Sequence, residues 1–307
     1  MTVLLCPGQG AQKVGMGRDL AERFPEARDT FKAIDEALGI PLSRIMWEGP
    51  EDELTLTHNA QPAILAHSAA VLAVIKGRLG AVDAAAGHSL GEYSAYVAAG
   101  SLSATDAARL VRRRGELMLE AGQQRPGTMA AVLGLPGGEV DAFCRQASRN
   151  GSVAVASNLK APDQTVISGD PDAVERAGAM CKGGGARRVL PLKVSGAFHS
   201  PLMEPAVPGL RAALGDAAWS DPAFPVLANA TAEPVYAAAD ARRLLAEQLT
   251  APVRWVASMH KAADMTPSSA YMEVGPGTVL SGLLRRIEGE VTILPLGTAE
   301  EVERFLL

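Results

Sequence analysis

Three residues far apart in the chain have the types and settings to act together on an acyl group. Gly87-His88-Ser89-Leu90-Gly91 is a G-x-S-x-G pentapeptide. Glycines at that spacing suit a sharp strand-to-helix turn, where missing Cβ atoms let the backbone fold tightly and push the serine hydroxyl outward. A nucleophilic serine needs a base. Of the five histidines, His58, His67, His88, His199 and His260, only His199 follows a strand exit lined with small residues, Ser195-Gly196-Ala197-Phe198-His199-Ser200-Pro201. His88 lies in the elbow, but its side chain is expected to point away from that of Ser89 and to serve structure.

Arg114 is the third. Ser103 with Asp106 makes a capping-box-like helix start, and Ala107, Leu110, Val111, Leu117, Met118 and Ala121 recur at helical spacing to form one apolar stripe. Arg114 falls in the middle of that stripe, whereas Arg112 and Arg113 fall off it. A guanidinium facing a core must be paired, because an unpaired buried charge costs several kcal/mol. Two partners fit: a carboxylate of the protein, or the carboxylate of a substrate held bidentately.

These residues need elements to place them. Leu90 to Ala99 holds good helix formers, with Gly91 and Ala95 on the side that would meet a sheet, and Gly100 stands where a C-cap glycine belongs. The helix start then lies beside Ser89, with free N–H groups for an oxyanion. Val3 to Cys6 reads as a buried strand, within an apolar Met1 to Cys6 start that lacks a basic n-region and runs into Pro7-Gly8-Gln9-Gly10-Ala11-Gln12. That turn lacks a phosphate-loop pattern. It is either a plain strand end or a place where the Gln9 N–H approaches a ligand.

Residues 17 to 60 alternate helical segments with turns. His58 to Pro62 caps an apolar helix reaching Ile75, with Gln61 just before the buried part; at about 14 residues it is shorter than the roughly 20 that span a bilayer. Arg78 to Ala86 leads into the elbow, and its alanines give no strand signal of their own. From Gly127 the texture changes: strands at Thr128 to Gly134, Gly151 to Leu159, Gln164 to Gly169 and Arg187 to Val194, with helices at Gly138 to Ser148 and Asp172 to Lys182. The order β-α-β-β-α-β is ferredoxin-like. Strands follow at Pro225 to Asn229 and Met272 to Val274, and helices at Ala239 to Leu249 and Thr278 to Ile287. The expected fold class is α/β.

The chain has 307 residues, 48% hydrophobic and 4% aromatic, so its core is built of small aliphatics. A net charge of −5 and a pI near 5.6 argue against nucleic acid as a main partner. Cys6, Cys144 and Cys181 have neither disulfide-framework nor metal-site spacing, which fits a reducing compartment and no metal.

With these residues in place, the chain resembles the malonyl-CoA:acyl-carrier-protein transacylases, and more broadly the acyltransferase domains of fatty-acid and polyketide synthases. Six motifs carry the resemblance in the family's order: P-G-Q-G-A-Q at Pro7 to Gln12, Q-P-A at Gln61 to Ala63, G-H-S-L-G-E at Gly87 to Glu92, R-R-G-E-L-M at Arg113 to Met118, G-A-F-H-S at Gly196 to Ser200 and E-V-G-P-G at Glu273 to Gly277. The resemblance implies an α/β-hydrolase-like core with a parallel sheet from residues 1–126 and 195–307, and an inserted ferredoxin-like subdomain from 127–194. It also implies Ser89 as nucleophile and His199 as general base and acid. The main-chain carbonyl of Gln248 would orient His199, and the N–H groups of Leu90 and Gln9 would hold the oxyanion. Arg114 would bind the malonyl carboxylate, a charged hydrogen bond contributing about 1.5–3 kcal/mol. Gln61, Asn158, Met118 and Phe198 would line the substrate pocket.

No cofactor is implied beyond the malonyl-CoA substrate and the phosphopantetheine of an acyl carrier protein. The partners would be that carrier and malonyl-CoA, with no nucleic acid and no membrane, for a monomer in the cytoplasm. An acidic carrier calls for a local basic patch, and Arg187 with Arg188 and Arg285 with Arg286 stand at the family's basic positions; for each pair the alternative is a solvated surface. Phe198 before His199 suits malonyl over methylmalonyl, because a bulky side chain there leaves less room for the extra methyl. Other readings are a discrete acyltransferase serving a polyketide synthase, a serine thioesterase or esterase, which would transfer to water, and a carrier-docking module, for which Ser89 would be dispensable.

Overall fold

The protein is described here from a computed structural model covering residues 2–266 and 270–307. Met1, part of the apolar start, lies outside the described residues. Ten described strands make two sheets: β1 (Thr2–Cys6), β2 (Ala84–Gly87), β3 (Thr128–Leu133), β4 (Ala154–Ala161), β5 (Gln164–Gly169), β6 (Arg188–Pro191), β7 (Val226–Leu227), β8 (Pro234–Val235), β9 (Ala270–Val274) and β10 (Ile293–Leu296). The larger sheet runs β10-β9-β1-β2-β7-β8 and is parallel except for β8. β1 and β2 are buried along their whole length, as parallel strands covered on both faces must be. Burial, with no help from β propensity, makes the alanine run of β2 a strand.

β1 and β2 are in register, Cys6 beside Gly87, so the Pro7 to Gln12 turn and the serine elbow leave the same carboxyl edge side by side. Two glycines permit this. A Cβ on Gly91 would stand 2.1 Å from the Cys6 carbonyl oxygen, and one on Gly87 would stand 1.9 Å from the Gly91 carbonyl. The helix after the elbow spans Gly91–Ala98, and Gly100 takes the left-handed conformation (φ 69°) at its end.

The apolar helix differs from expectation at its start. It spans Thr57–Ile75, one turn longer, with Gln61 and Pro62 inside it. Proline at position 62 has no N–H for the carbonyl of His58, one turn back. Arg112 supplies a substitute, its Nη1 donating to that carbonyl at 3.3 Å. The helix Ala104–Gln124 lies alongside, capped by Ser103, whose Oγ accepts from the Asp106 N–H. The two helices approach closely at Gly115, where a Cβ would stand 2.6 Å from the Cα of His58.

The smaller sheet is antiparallel, ordered β4-β5-β3-β6, with helices Gly137–Ala147 and Pro171–Gly183 after β3 and β5. This is the ferredoxin-like strand order. β6 stops at Pro191, so residues 192–194 leave as loop and not as strand. β4 is bulged around Asn158, and there it exchanges backbone bonds with Val253 of the larger unit. Helices Val207–Asp216, Trp255–Met265 and Ala299–Leu306 and strands β8 and β10 stand beyond the expected elements, although Thr298 and Glu301 form a capping box at the start of Ala299–Leu306. Among the described residues no helix is long and apolar enough to cross a membrane, and no three His, Cys, Asp or Glu side chains gather as metal ligands.

Candidate active site

Ser89 sits at the apex of the elbow with φ 55°, a left-handed conformation uncommon outside glycine. Side chains hold it there. Its N–H donates to Asn229 Oδ1 at 2.6 Å, while Asn229 Nδ2 donates to the Gly87 carbonyl at 2.7 Å. The Ser89 carbonyl accepts from Gln248 Nε2 at 3.0 Å.

The Ser89 hydroxyl lies 2.8 Å from His199 Nε2, and His199 Nδ1 lies 2.9 Å from the Gln248 carbonyl oxygen. A carbonyl can only accept, so Nδ1 carries the proton and Nε2 is left to accept from the serine. The imidazole is 3% exposed. Burial, then the charge of Arg114, pushes its pKa down to about 4, so it is neutral near pH 7 and free to take a proton.

Arg114 is 1% exposed on the face that the apolar stripe marks. Its Nη1 donates to Gln61 Oε1 at 2.7 Å, and its Nη2 donates to Gln248 Oε1 at 2.9 Å and to Ser89 Oγ at 3.0 Å. No carboxylate of the described residues pairs with it. Tyr93 lies beneath, its ring centre 5.9 Å from the guanidinium carbon. Burial draws the pKa of Arg114 down, yet arginine stays charged. The result is a buried cation held by two amides and a hydroxyl, next to the serine oxygen.

Ser89 and His199 open into a cavity of about 310 Å³, lined also by Gln9, Met118, Asn158 and Phe198. Met118 accepts a weak bond from Gln61 Nε2 at 3.4 Å, and Asn158 Oδ1 is buried with no partner. Leu90 stands at the start of the Gly91–Ala98 helix. His88 packs edge-on against Trp255, 5.5 Å between ring centres, and also borders the cavity. Lys160 and Lys193 line it too; neither was marked out by motif or periodicity. Lys160 lies just past the strand expected at Gly151 to Leu159; β4 instead runs Ala154–Ala161, with a register shift at Lys160 itself.

The four arginines of the two basic pairs are not in this lining. Arg187 and Arg286 converge on the same carboxylate, Asp163, the first at 2.8 Å. Arg188 and Arg285 are exposed and make no ion pair among the described residues. A larger concavity of about 720 Å³ lies at the ends of β9 and β10, away from Ser89 and His199; of its charged residues Arg18 pairs with Glu22, and Asp19 accepts from the Ala299 N–H.

Asn229 and Glu92 were also missed. Glu92 is fully buried, and its Oε2 accepts from the Asn229 N–H at 2.9 Å and from Gln248 Nε2 at 2.7 Å. An acid in the first turn of a helix reads as a partner for the helix dipole, and nothing local marks it as a core group.

A parallel α/β sheet with a serine elbow at its carboxyl edge, flanked by a ferredoxin-like sheet, is the build of an acyltransferase. The chain belongs to the acyl transferase domain family, which matches residues 3–288. It is 43% identical over 301 residues to the malonyl CoA-acyl carrier protein transacylase of Bacillus subtilis (strain 168), covering 97% of this chain and 94% of that one. Among solved structures it is similar to the acyl-carrier-protein-S-malonyltransferase of Bartonella henselae, with a TM-score of 0.93, 41% identity, and coverage of 99% and 98%. It is equally similar in fold, at 38% identity with coverage of 99% and 98%, to a malonyl-transacylase in complex with a type II polyketide synthase acyl carrier protein.

Proposed function

We propose that this protein moves a malonyl group from malonyl-CoA to the phosphopantetheine thiol of an acyl carrier protein, through an ester on Ser89. His199 Nε2 takes the hydroxyl proton as Ser89 Oγ attacks the thioester carbon. The developing oxyanion is met by the N–H groups of Leu90 and Gln9. As the C–S bond breaks, His199 returns its proton to the departing CoA thiolate. The carrier thiol then runs the same steps in reverse, giving up its proton to His199 and receiving the malonyl group. The enzyme needs no cofactor for this exchange.

The observation that carries the reading is Arg114. A buried guanidinium with no carboxylate partner, 3.0 Å from the nucleophile, supports a substrate that brings its own carboxylate. Gln61 and Gln248 set the plane in which it would be received, and Phe198 borders the space beside the malonyl methylene. An esterase acting on uncharged acyl groups has no use for such a cation.

The surrounding assignments follow from the same reading. Residues 1–126 and 195–307 form the catalytic core and 127–194 the inserted subdomain. The protein serves fatty-acid synthesis in the cytoplasm as a monomer. Arg188 and Arg285, whose charges are not neutralised by near acids, are the members of the basic pairs best suited to an acidic carrier.

Intact-protein mass after brief mixing with malonyl-, methylmalonyl- or acetyl-CoA tests this. The wild type should gain one malonyl group, removable by holo-carrier protein, and label far less with the other donors. Arg114→Ala should label with malonyl-CoA at least tenfold more slowly, by the strength of a charged hydrogen bond. Release of CoA with no lasting adduct would favour the esterase, and equal malonyl and methylmalonyl labelling would remove the role of Phe198.

A further inference from the structure

Glu92 takes no part in the two half-reactions, yet both residues that aim the reacting groups converge on it. Its Oε2 accepts from the Asn229 N–H and from Gln248 Nε2, while its Oε1 has no partner. Asn229 in turn grips the elbow, through the Ser89 N–H and the Gly87 carbonyl. Gln248 grips the rest. Its amide takes the Ser89 carbonyl and Arg114, and its own carbonyl takes His199.

An amide has two faces, one donating and one accepting, and nothing intrinsic decides which way it lies. At Gln248 three neighbours decide together: the Glu92 carboxylate and the Ser89 carbonyl take Nε2, and Arg114 takes Oε1. With Nε2 turned to Glu92 and to the Ser89 carbonyl, Oε1 must face the guanidinium of Arg114. Without an acceptor at position 92 a buried N–H of Gln248 and the Asn229 N–H both lose their partner, and the amide is held only by the Ser89 carbonyl and Arg114, free to shift toward solvent or a new acceptor. Burial pushes the carboxyl up to about 7, opposed by these two donors and by the charge of Arg114.

We propose that Glu92 is a positioning residue for acyl transfer, one buried carboxylate oxygen that sets Asn229 and Gln248 so that Ser89, His199 and Arg114 stay aligned. The inference rests on Ser89 being the acylated residue.

The test compares Glu92→Leu, Glu92→Gln and Glu92→Asp with the wild type, each checked for folding by near-ultraviolet circular dichroism and thermal unfolding. Acyl-enzyme formation from malonyl- and acetyl-CoA is followed by rapid-quench mass spectrometry. Misalignment of about 1 Å lowers rates on the order of 100-fold. Glu92→Leu should therefore lose about 100-fold in the malonyl acylation rate at saturating donor, and its malonyl-over-acetyl ratio should fall toward one. Glu92→Gln keeps an acceptor oxygen at the same reach and should recover at least about tenfold over Glu92→Leu, staying below wild type because neutral bonds replace charge-assisted ones. Glu92→Asp keeps the charge but falls one methylene short and should remain worse than Gln.

A folded Glu92→Leu with wild-type rate and selectivity overturns the proposal, as does a loss that matches its unfolded fraction alone. If Leu does not fold, the Gln and Asp variants decide, and Asp equal to or better than Gln overturns it. If the wild type forms no ester on Ser89, the acyl-serine reading fails first; if it does and Glu92→Leu matches it, only the role of Glu92 fails.

Discussion

Ser89 and His199 both hold φ 55°, and conformations of this kind cost about 1–3 kcal/mol each. At Ser89 both backbone polar groups are taken by side chains from beyond residue 228, so the strain is held by parts of the chain that meet only in the fold. The same enclosure sets the base. With the His199 pKa near 4, its limb in the kcat/KM profile for malonyl-CoA should lie near pH 4, well below the ordinary histidine value of 6.5, and below a shallower fall through about 7 as the Glu92 carboxyl takes up its proton. Arg114 and His88 are the titratable groups that face this ring, and Arg114 is the stronger influence. Removing its charge raises the pKa, so Arg114→Ala should move the acid limb of acetyl-CoA turnover upward; an unmoved limb would mean that the charge does not act on His199. Ser89, His199 and Arg114 were legible because each breaks a local rule: a serine between glycines, a histidine among small residues, a cation on an apolar stripe. Glu92 and Asn229 break none. Their partners lie 137 and 140 positions away, a separation no local spacing encodes.

Helices carry these residues, and their spacing depends on small side chains. The Gln61–Arg114 bond bridges the helices Thr57–Ile75 and Ala104–Gln124, whose backbones meet at Gly115. Gly115→Ala would place a Cβ 2.6 Å from the His58 Cα, which only separation of the helices relieves. Overpacking of this kind destabilises by about 1–3 kcal/mol. The unfolding midpoint should therefore fall, and malonyl selectivity should fall with it as Gln61 is drawn from Arg114. Gly282 is the control. It lies exposed within the helix Val279–Glu288 with open space around its Cβ position, so Gly282→Ala should stabilise by about 1 kcal/mol and leave selectivity alone. Destabilisation by both would show that helix contact is not what distinguishes Gly115. The start of Ala104–Gln124 and its buried face are legible in the Ser103 cap and in the apolar stripe to Ala121, whereas its end at Gln124 is not. Pro62 marks a boundary in the sequence because proline removes a helix bond, and the Arg112 donor that replaces it belongs to another helix.

Across the whole molecule the buried titratable groups set how stability follows pH. His67 and His199 have pKa values of about 4 in the fold, and that of His88 lies well below its ordinary value, all three chiefly through burial. Unfolded, each takes up a proton near 6.5, so the unfolded chain binds more protons between pH 4 and 6.5, and stability is lost as pH falls through that window. Glu92 works against this trend. Its carboxyl titrates at about 7 in the fold against an ordinary 4.5, so the folded state binds the extra proton between those values, and its contribution to stability is lost as pH rises through them. Glu273, also raised by burial, has the same sign. Each group contributes a slope of up to about 1.4 kcal/mol per pH unit, and three histidines outweigh two carboxyls. The urea midpoint of unfolding should therefore drop between pH 6.5 and 4.5. Glu92→Gln removes one opposing group, so its midpoint should drop more steeply than that of the wild type over the same range. Parallel slopes would mean that the Glu92 carboxyl is not raised in the fold, and that the network around Gln248 is built on a carboxylate already ionised at pH 5.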